Sequence, residues 1–206
     1  MFVFKQSYVY HNTYIFLKNH LTFWSWKMSP QVTFILVNII GGILVLGGYA
    51  IGIGNFPEHR NSLWGGVSTS WRQAIVVSML IAAVGYLMFC YMAVFKDGAT
   101  HFSHDWLLGD HSITILTAIF LISAACWMPF LLTYIISGTN FWWILTVVAL
   151  WITALSLILL CLVVATYNGN DLSSTEKILA LAGLTAITFH CLVMDAILWV
   201  VFFHKT

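Results

Sequence analysis

Long apolar runs dominate this chain, and short polar segments separate them. Crossing the hydrocarbon core of a bilayer takes a helix of about 20 residues. Five runs reach that length, at residues 32–53, 73–95, 112–137, 141–165 and 177–203. In lipid the backbone must form its hydrogen bonds within the segment, so runs of this kind are predicted to be helices. The pattern therefore predicts an all-α, polytopic integral membrane protein, built as a five-transmembrane-helix bundle.

Local signals at the edges of the runs support these boundaries. Ser29-Pro30 has the order of a helix cap followed by a proline at the first helical position. Ser173 and Glu176 have the spacing of a capping box ahead of the fifth run. Residues 138–140 (Gly-Thr-Asn) leave room only for a tight turn, so the third and fourth helices are predicted to be antiparallel neighbours.

The chain divides into an aromatic N-terminal tail, residues 1–31, and a single five-helix membrane domain, residues 32–206. Two interpretations of the tail stay open. It is either an interfacial segment that lies on the membrane, or a stretch upstream of a true start at Met28. The choice decides the predicted orientation, because the positive-inside rule counts the lysines of the tail. If these lysines are counted, a cytoplasmic N-terminus is predicted, and if they are omitted, the opposite orientation is predicted.

The composition agrees with a lipid environment and argues against one class of partner. Hydrophobic residues make up 61% of the chain and charged residues 7%, whereas soluble domains are about 25% charged. Eight Lys and Arg against seven Asp and Glu create no basic surface, so nucleic acid is not an expected partner. The lipid bilayer is the expected surrounding, although nothing here specifies which membrane. The four cysteines follow no metal or redox spacing and are expected to be free thiols.

One acidic residue, Asp195, lies within the five runs, and an ionised carboxylate in hydrocarbon usually has a partner or a function. It lies eight residues from the end of the fifth run, about 12 Å below that surface. Trp127 and Pro129 in the third run reach a similar depth, and Pro129 frees a backbone carbonyl. Arg72 at the start of the second run lies on the correct side to extend inward. We predict a polar cluster of these residues, with Arg72 as the counter-ion of Asp195.

Two interpretations of that cluster stay open. It is a proton or cation relay or the polar end of a ligand pocket, or it is only an internal tie between Arg72 and Asp195. A protonated Asp195 bonded to a backbone carbonyl would be equally structural. His190, near the middle of the fifth run, is a further candidate ligand or relay residue. The chain has no second mid-span histidine for a bis-histidine haem, so a hydrogen bond across helices is expected of His190.

The segment between the second and third runs is rich in imidazoles and carboxylates. His101, His104, Asp105 and His111 have residue types and spacings that can bind zinc or a similar ion. The alternative is a solvated loop that responds to pH. Beyond this candidate metal, the sequence specifies no cofactor. The polar, turn-rich segment at residues 54–66 is expected to fold back over the Asp195 side.

Three functions follow from these features. The first is a small bundle that binds or translocates a small hydrophobic ligand, a proton or a cation; it predicts a cavity beside Asp195 lined by Trp127, His190 and Thr188. The second is a non-catalytic subunit of a larger membrane complex, or a homo-oligomer, with Gly48 and Gly52 facing outward to a partner. The third is a membrane metalloenzyme that uses His101, His104 and Asp105. The sequence does not favour an enzyme, and it names no catalytic residue.

Overall fold

A computed structural model of the chain describes residues 28–103, 108–169 and 171–205. Helix accounts for 86% of these residues, and none of them is in a strand. The five long helices are α1 (Pro30–Asn55), α2 (Thr69–Phe95), α3 (Ser112–Ser137), α4 (Asn140–Thr166) and α5 (Ser174–Phe203). Each is long and apolar enough to cross a membrane. The predicted all-α chain with five long apolar helices is confirmed, and residues 1–27 of the tail lie outside the described residues.

Two predicted helix caps are confirmed. Ser29 Oγ accepts from the Val32 amide at 3.3 Å, and Pro30 occupies the first turn. At the start of α5 the Ser173 hydroxyl accepts from the Glu176 amide at 3.2 Å, while the Glu176 carboxylate accepts from the Ser173 amide at 2.9 Å. These reciprocal bonds satisfy amides that the helix cannot pair internally. The structure extends α2 four residues earlier than predicted, to Thr69.

Some pairs of helices pack closely, whereas others make little contact. The tight turn at Gly138, which has a φ of +66°, makes α3 and α4 antiparallel neighbours, as predicted. α1 lies along α3, and α2 lies along α5, whereas α1 and α2 make little contact with each other. The buried side chains form two clusters, one toward each end of the bundle. We call the end that carries the α1–α2 loop, the α3–α4 turn and residue 205 the C-terminal end.

Two glycines of α1 lie against α3. A Cβ at Gly52 would lie 3.1 Å from the side chains of Met128 and Leu132 in α3. Gly48 also faces α3, with the Ala125 carbonyl 3.9 Å from where its Cβ would be. The predicted outward, partner-binding orientation of Gly48 and Gly52 is therefore wrong, because this face is occupied by α3 of the same chain. Such small residues let helix backbones approach one another.

Polar ties close the opposite end of the bundle. Lys96 pairs with Glu176 at 3.1 Å, which joins the end of α2 to the start of α5, and the hydrogen bond that Lys96 donates to the Glu176 carboxylate raises the pKa of Lys96. His101 lies in the short helix Gly98–His101, and its Nδ1 lies 3.6 Å from an oxygen of Asp171. The charged residues at this end therefore link the helix connections to one another.

Candidate functional site

The local backbone of α5 brings two polar side chains together. Residues His190–Trp199 form a π-helical segment of ten residues within the longer helix. In an α-helix, residues five apart point about 140° away from each other around the axis. The i→i+5 hydrogen bonds of a π-helix place them nearly above one another instead. His190 Nε2 accordingly lies 3.4 Å from Asp195 Oδ2.

The second ring nitrogen of His190 reaches across to α2. Its Nδ1 lies 3.2 Å from Ser78 Oγ. Beside an ionised Asp195, which can only accept, Nε2 carries a proton, and Nδ1 accepts from the Ser78 hydroxyl when the imidazole is neutral or donates to it when the imidazole is protonated. In either form the two contacts fix the orientation of the ring between two helices. The predicted hydrogen bond of His190 across helices is confirmed.

His190 and Asp195 differ in how much of each side chain is exposed. The His190 side chain is 8% exposed, whereas that of Asp195 is 27% exposed because it borders a cavity. Among the described residues, His190 is the one side chain within hydrogen-bond or ion-pair distance of the Asp195 carboxylate. The Oδ1 atom of Asp195 can therefore still accept a hydrogen bond, because no described protein group donates to it.

The cavity has a volume of about 390 Å³ and lies at the C-terminal end, and all five long helices contribute to its wall. Three of its lining side chains, His190, Asp195 and Arg60, carry an imidazole, a carboxylate and a guanidinium group. The rest of the wall is aromatic or aliphatic: Tyr49, Trp64, Trp127, Trp199, Ile53, Leu63, Ile75, Val76, Met79, Met128 and Leu150. Apolar walls with a few polar groups at one place are typical of small-molecule sites.

Aromatic rings pack against one another in the cavity wall that includes Asp195. The Trp127 ring packs edge-on against Trp199 and against Tyr49, each at 5.7 Å between ring centres. Trp199 belongs to the π-helical segment itself, four residues after Asp195. The carboxylate is thus presented beside ring surfaces contributed by α1, α3 and α5.

The connection between α1 and α2 covers the cavity at the C-terminal end, as the sequence predicted. It contains two short 3₁₀ turns, Pro57–His59 and Ser62–Trp64. Trp199 Nε1 donates to the Leu63 carbonyl at 3.2 Å, and the Gly66 amide donates to the Phe203 carbonyl at 2.9 Å. Both bonds tie this connection to the last turns of α5.

No family model, curated protein or solved structure matches this chain. The interpretation of the site therefore rests on its own geometry.

The structure brings together three of the five predicted ligand or relay candidates, because Asp195, His190 and Trp127 line one cavity. It places Arg72 elsewhere: its Nε donates to the Val67 carbonyl at 2.8 Å, and its guanidinium carbon lies 5.7 Å from the ring centre of Trp64. The expected ion pair between Arg72 and Asp195 is absent from the described residues, and His190 takes that position.

The remaining predicted neighbours also lie outside the cavity wall. Pro129 is exposed on the outer side of α3, and the Ala125 carbonyl that it frees faces Gly48 of α1. Thr188, expected in the wall, instead donates to the Leu184 carbonyl and lies 3.3 Å from Cys161 Sγ. The proline therefore shapes the contact between α1 and α3, not the polar site.

The predicted metal site stays a prediction. Two of its residues, His104 and Asp105, lie outside the described residues. Of the other two, His101 pairs with Asp171, and His111 directly precedes α3. Within the described part of the chain, no three His, Cys, Asp or Glu side chains are grouped to hold a metal ion.

Sequence reasoning missed Ser78 as a partner of His190, and Tyr49, Trp199 and Arg60 as parts of the wall. The one available signal was the position of Tyr49 and Trp199 near the same ends of their helices as Asp195. The five-residue spacing of His190 and Asp195 argued against a contact, since it fits a π-helix and not the expected α-helix.

Proposed function

We propose that this protein is a five-transmembrane-helix, multi-pass membrane protein that binds a small, largely apolar ligand in the cavity beside Asp195. The observation that carries the proposal is a carboxylate bordering a mostly aromatic and aliphatic cavity of about 390 Å³. That volume falls in the range of ligand pockets, about 300–1,000 Å³. The ligand's body packs on the rings, and its polar group bonds to Asp195.

The cost of the acid supports a binding role. An Asp at the centre of a membrane helix costs about 2.5–3.5 kcal/mol on insertion scales, so a structural tie alone would be served by a neutral residue. His190 contacts one oxygen of Asp195 and leaves the other without a partner among the described residues. A ligand with a hydrogen-bond donor would supply a partner for that second oxygen.

Translocation of protons or cations is less well supported than binding. A relay needs a chain of polar groups that continues through the bundle. Here the chain runs from Asp195 through His190 to Ser78, and among the described residues Ser78 Oγ has no further hydrogen-bond partner. The polar path therefore ends at α2.

Photolabelling in lipid nanodiscs tests the proposal. A long-chain alcohol that carries a diazirine in its chain is added, irradiated, and located by peptide mass spectrometry. We expect adducts on cavity residues such as Met79 and Leu150, and we expect excess unlabelled alcohol to suppress them. Leu150→Phe, which narrows the cavity, should reduce the cavity adducts, whereas Leu155→Phe on the exposed side of α4 should not.

The opposite pattern would overturn the proposal. Adducts confined to outward-facing positions such as Leu46 and Val84, and insensitive to excess alcohol, would indicate ordinary lipid contact. Thermal unfolding of both phenylalanine variants distinguishes a filled cavity from a lost fold, because only a folded Leu150→Phe protein retains a cooperative transition.

A further inference from the structure

Access to the cavity from the C-terminal end is closed by the α1–α2 connection. Arg60, Leu63 and Trp64 of that connection form part of the cavity wall. Two hydrogen bonds hold it to α5, from Trp199 to Leu63 and from Gly66 to Phe203. In addition, Arg60 Nε donates to the Ile53 carbonyl at 2.8 Å, which ties the same connection to the end of α1.

The side between α1 and α2 is the least closed. These two helices make little contact, since α1 packs on α3 and α2 packs on α5. The cavity wall here consists of Ile53 from α1 and Val76 and Met79 from α2, which are 42%, 37% and 39% exposed. Residues that line the cavity and also face outward mark an opening. In a membrane that opening faces the acyl chains.

The polar end of the cavity fits a cation better than an anion. The His190 side chain is only 8% exposed, and burial disfavours its charged form, while Asp195 has no other side chain within ion-pair distance in the described chain to neutralise it. Trp127, Trp199 and Tyr49 line the same cavity, and the face of an aromatic ring attracts an ammonium group. Arg60, the one cation of the wall, is exposed, and its Nε is already bonded to Ile53.

We infer that the cavity is loaded sideways from the bilayer, between α1 and α2, and takes a single-chain amine whose ammonium group pairs with Asp195. The chain of such an amphiphile lies in the gap beside Val76 and Met79, and its head lies between the aromatic rings. This inference rests on the proposed function, because it requires that the cavity binds a ligand.

Three diazirine probes of equal chain length test the head group: a primary amine, an alcohol and a carboxylic acid. Each is preloaded into vesicles that contain the protein. We expect the amine to label the cavity most strongly, and Asp195→Asn to weaken its half-maximal labelling about 10-fold or more, because a bond to a charged partner contributes about 1.5–3 kcal/mol. Labelling by the alcohol should change little, which also shows that the cavity of Asp195→Asn is intact.

The entry route is tested with the same amine probe by the rate of labelling. Val76→Trp fills the opening on α2 and should slow cavity labelling several-fold. Val84→Trp places the same ring on the same helix, where Val84 is 68% exposed and lies outside the cavity wall, and should leave the rate unchanged.

Each contrary result has a separate meaning. Equal labelling by amine and alcohol, unaffected by Asp195→Asn, overturns the amine assignment but leaves the proposed function standing. Preferential labelling by the acid overturns it in favour of a head group at Arg60. Equal rates for Val76→Trp and Val84→Trp overturn the lateral route. If none of the three probes labels the cavity, the proposed function itself fails.

Discussion

Adding a single methyl group at Gly183 should push α2 and α5 apart. The two helices cross at Gly85 and Gly183 with their backbones in direct contact. A Cβ at Gly183 would lie 2.3 Å from the carbonyl oxygen of Gly85, and a Cβ at Gly85 would lie 2.7 Å from that of Gly183. Because the contacted atoms belong to the backbone, no side-chain rotation can relieve Gly183→Ala.

The expected loss of stability follows from how far the two helices must move apart. Carbon–oxygen contacts between helices normally measure about 3.3–3.6 Å, so the backbones must move apart by about 1 Å. Overpacking of this kind costs about 1–3 kcal/mol. Alanine returns at most about 1 kcal/mol through its better helix propensity. The same movement loosens Ala82 and Leu184, which are 2% and 0% exposed at this interface. We therefore expect a net loss of about 1–2 kcal/mol.

Unfolding in mixed micelles with increasing SDS, followed by tryptophan fluorescence, measures this loss. Gly42→Ala is the matched control, because a Cβ at Gly42 meets no atom within 4 Å. Gly183→Ala should unfold at a lower SDS fraction than the wild type, and Gly42→Ala should not. If the two variants unfold at the same SDS fraction, the helices do not cross at this distance and the argument is wrong.

Three further predictions concern other parts of the bundle. The Thr117 hydroxyl is fully buried without a hydrogen-bond partner in the described chain, so Thr117→Val should be neutral or stabilising in the SDS assay; Thr153→Val, which removes bonds to Ser123 and Ala149, should cost about 1 kcal/mol. Ser173→Ala removes the cap of α5 and should cost about 1 kcal/mol, seen as faster hydrogen exchange of the Glu176 amide. Glu176→Gln can keep the capping box but should return the raised pKa of Lys96 to its ordinary value in an NMR titration. A lysine pKa that is raised by folding stabilises the fold at every pH below the pKa of the unfolded chain. The loss of stability in Glu176→Gln should therefore be present at neutral pH and disappear as the pH rises through the folded pKa of Lys96.

The sequence predicted what depends on neighbouring residues. Helix length follows from runs of apolar residues, and the caps at Ser29 and Ser173 follow from bonds that span three residues. The packing of the helices could not be predicted in this way. Gly48 and Gly52 were assigned to an outer face although they meet α3, because a GxxxG step specifies close approach but not the partner. The crossing at Gly85 was missed, since one glycine in a helix carries no such signal.

The candidate site shows the same division. Asp195 and Trp127 could be found because each is unusual at its depth in an apolar helix, and both line the cavity. The partner of Asp195 could not be found, because charge alone favoured Arg72 over an imidazole. The choice is decided by distance: Arg72 is held by the Val67 carbonyl at the start of α2, while His190 lies in the same helix as the acid.

The π-helical segment and the acid depend on each other. A π-helix has poorer hydrogen-bond geometry than an α-helix and is rarely longer than one turn, so ten such residues need a compensating gain. If α5 were α-helical from His190 onward, Asp195 would turn about 140° away from His190. A carboxylate that lost its partner and the cavity in this way would face the surrounding lipid, at about 2.5–3.5 kcal/mol on insertion scales. The wider helix keeps the carboxylate beside His190 and the Trp127 ring, where a ligand can reach it. Relaxing the segment to an α-helix would therefore remove the site and expose the acid in one step, which explains why the irregular backbone occurs where the polar group lies.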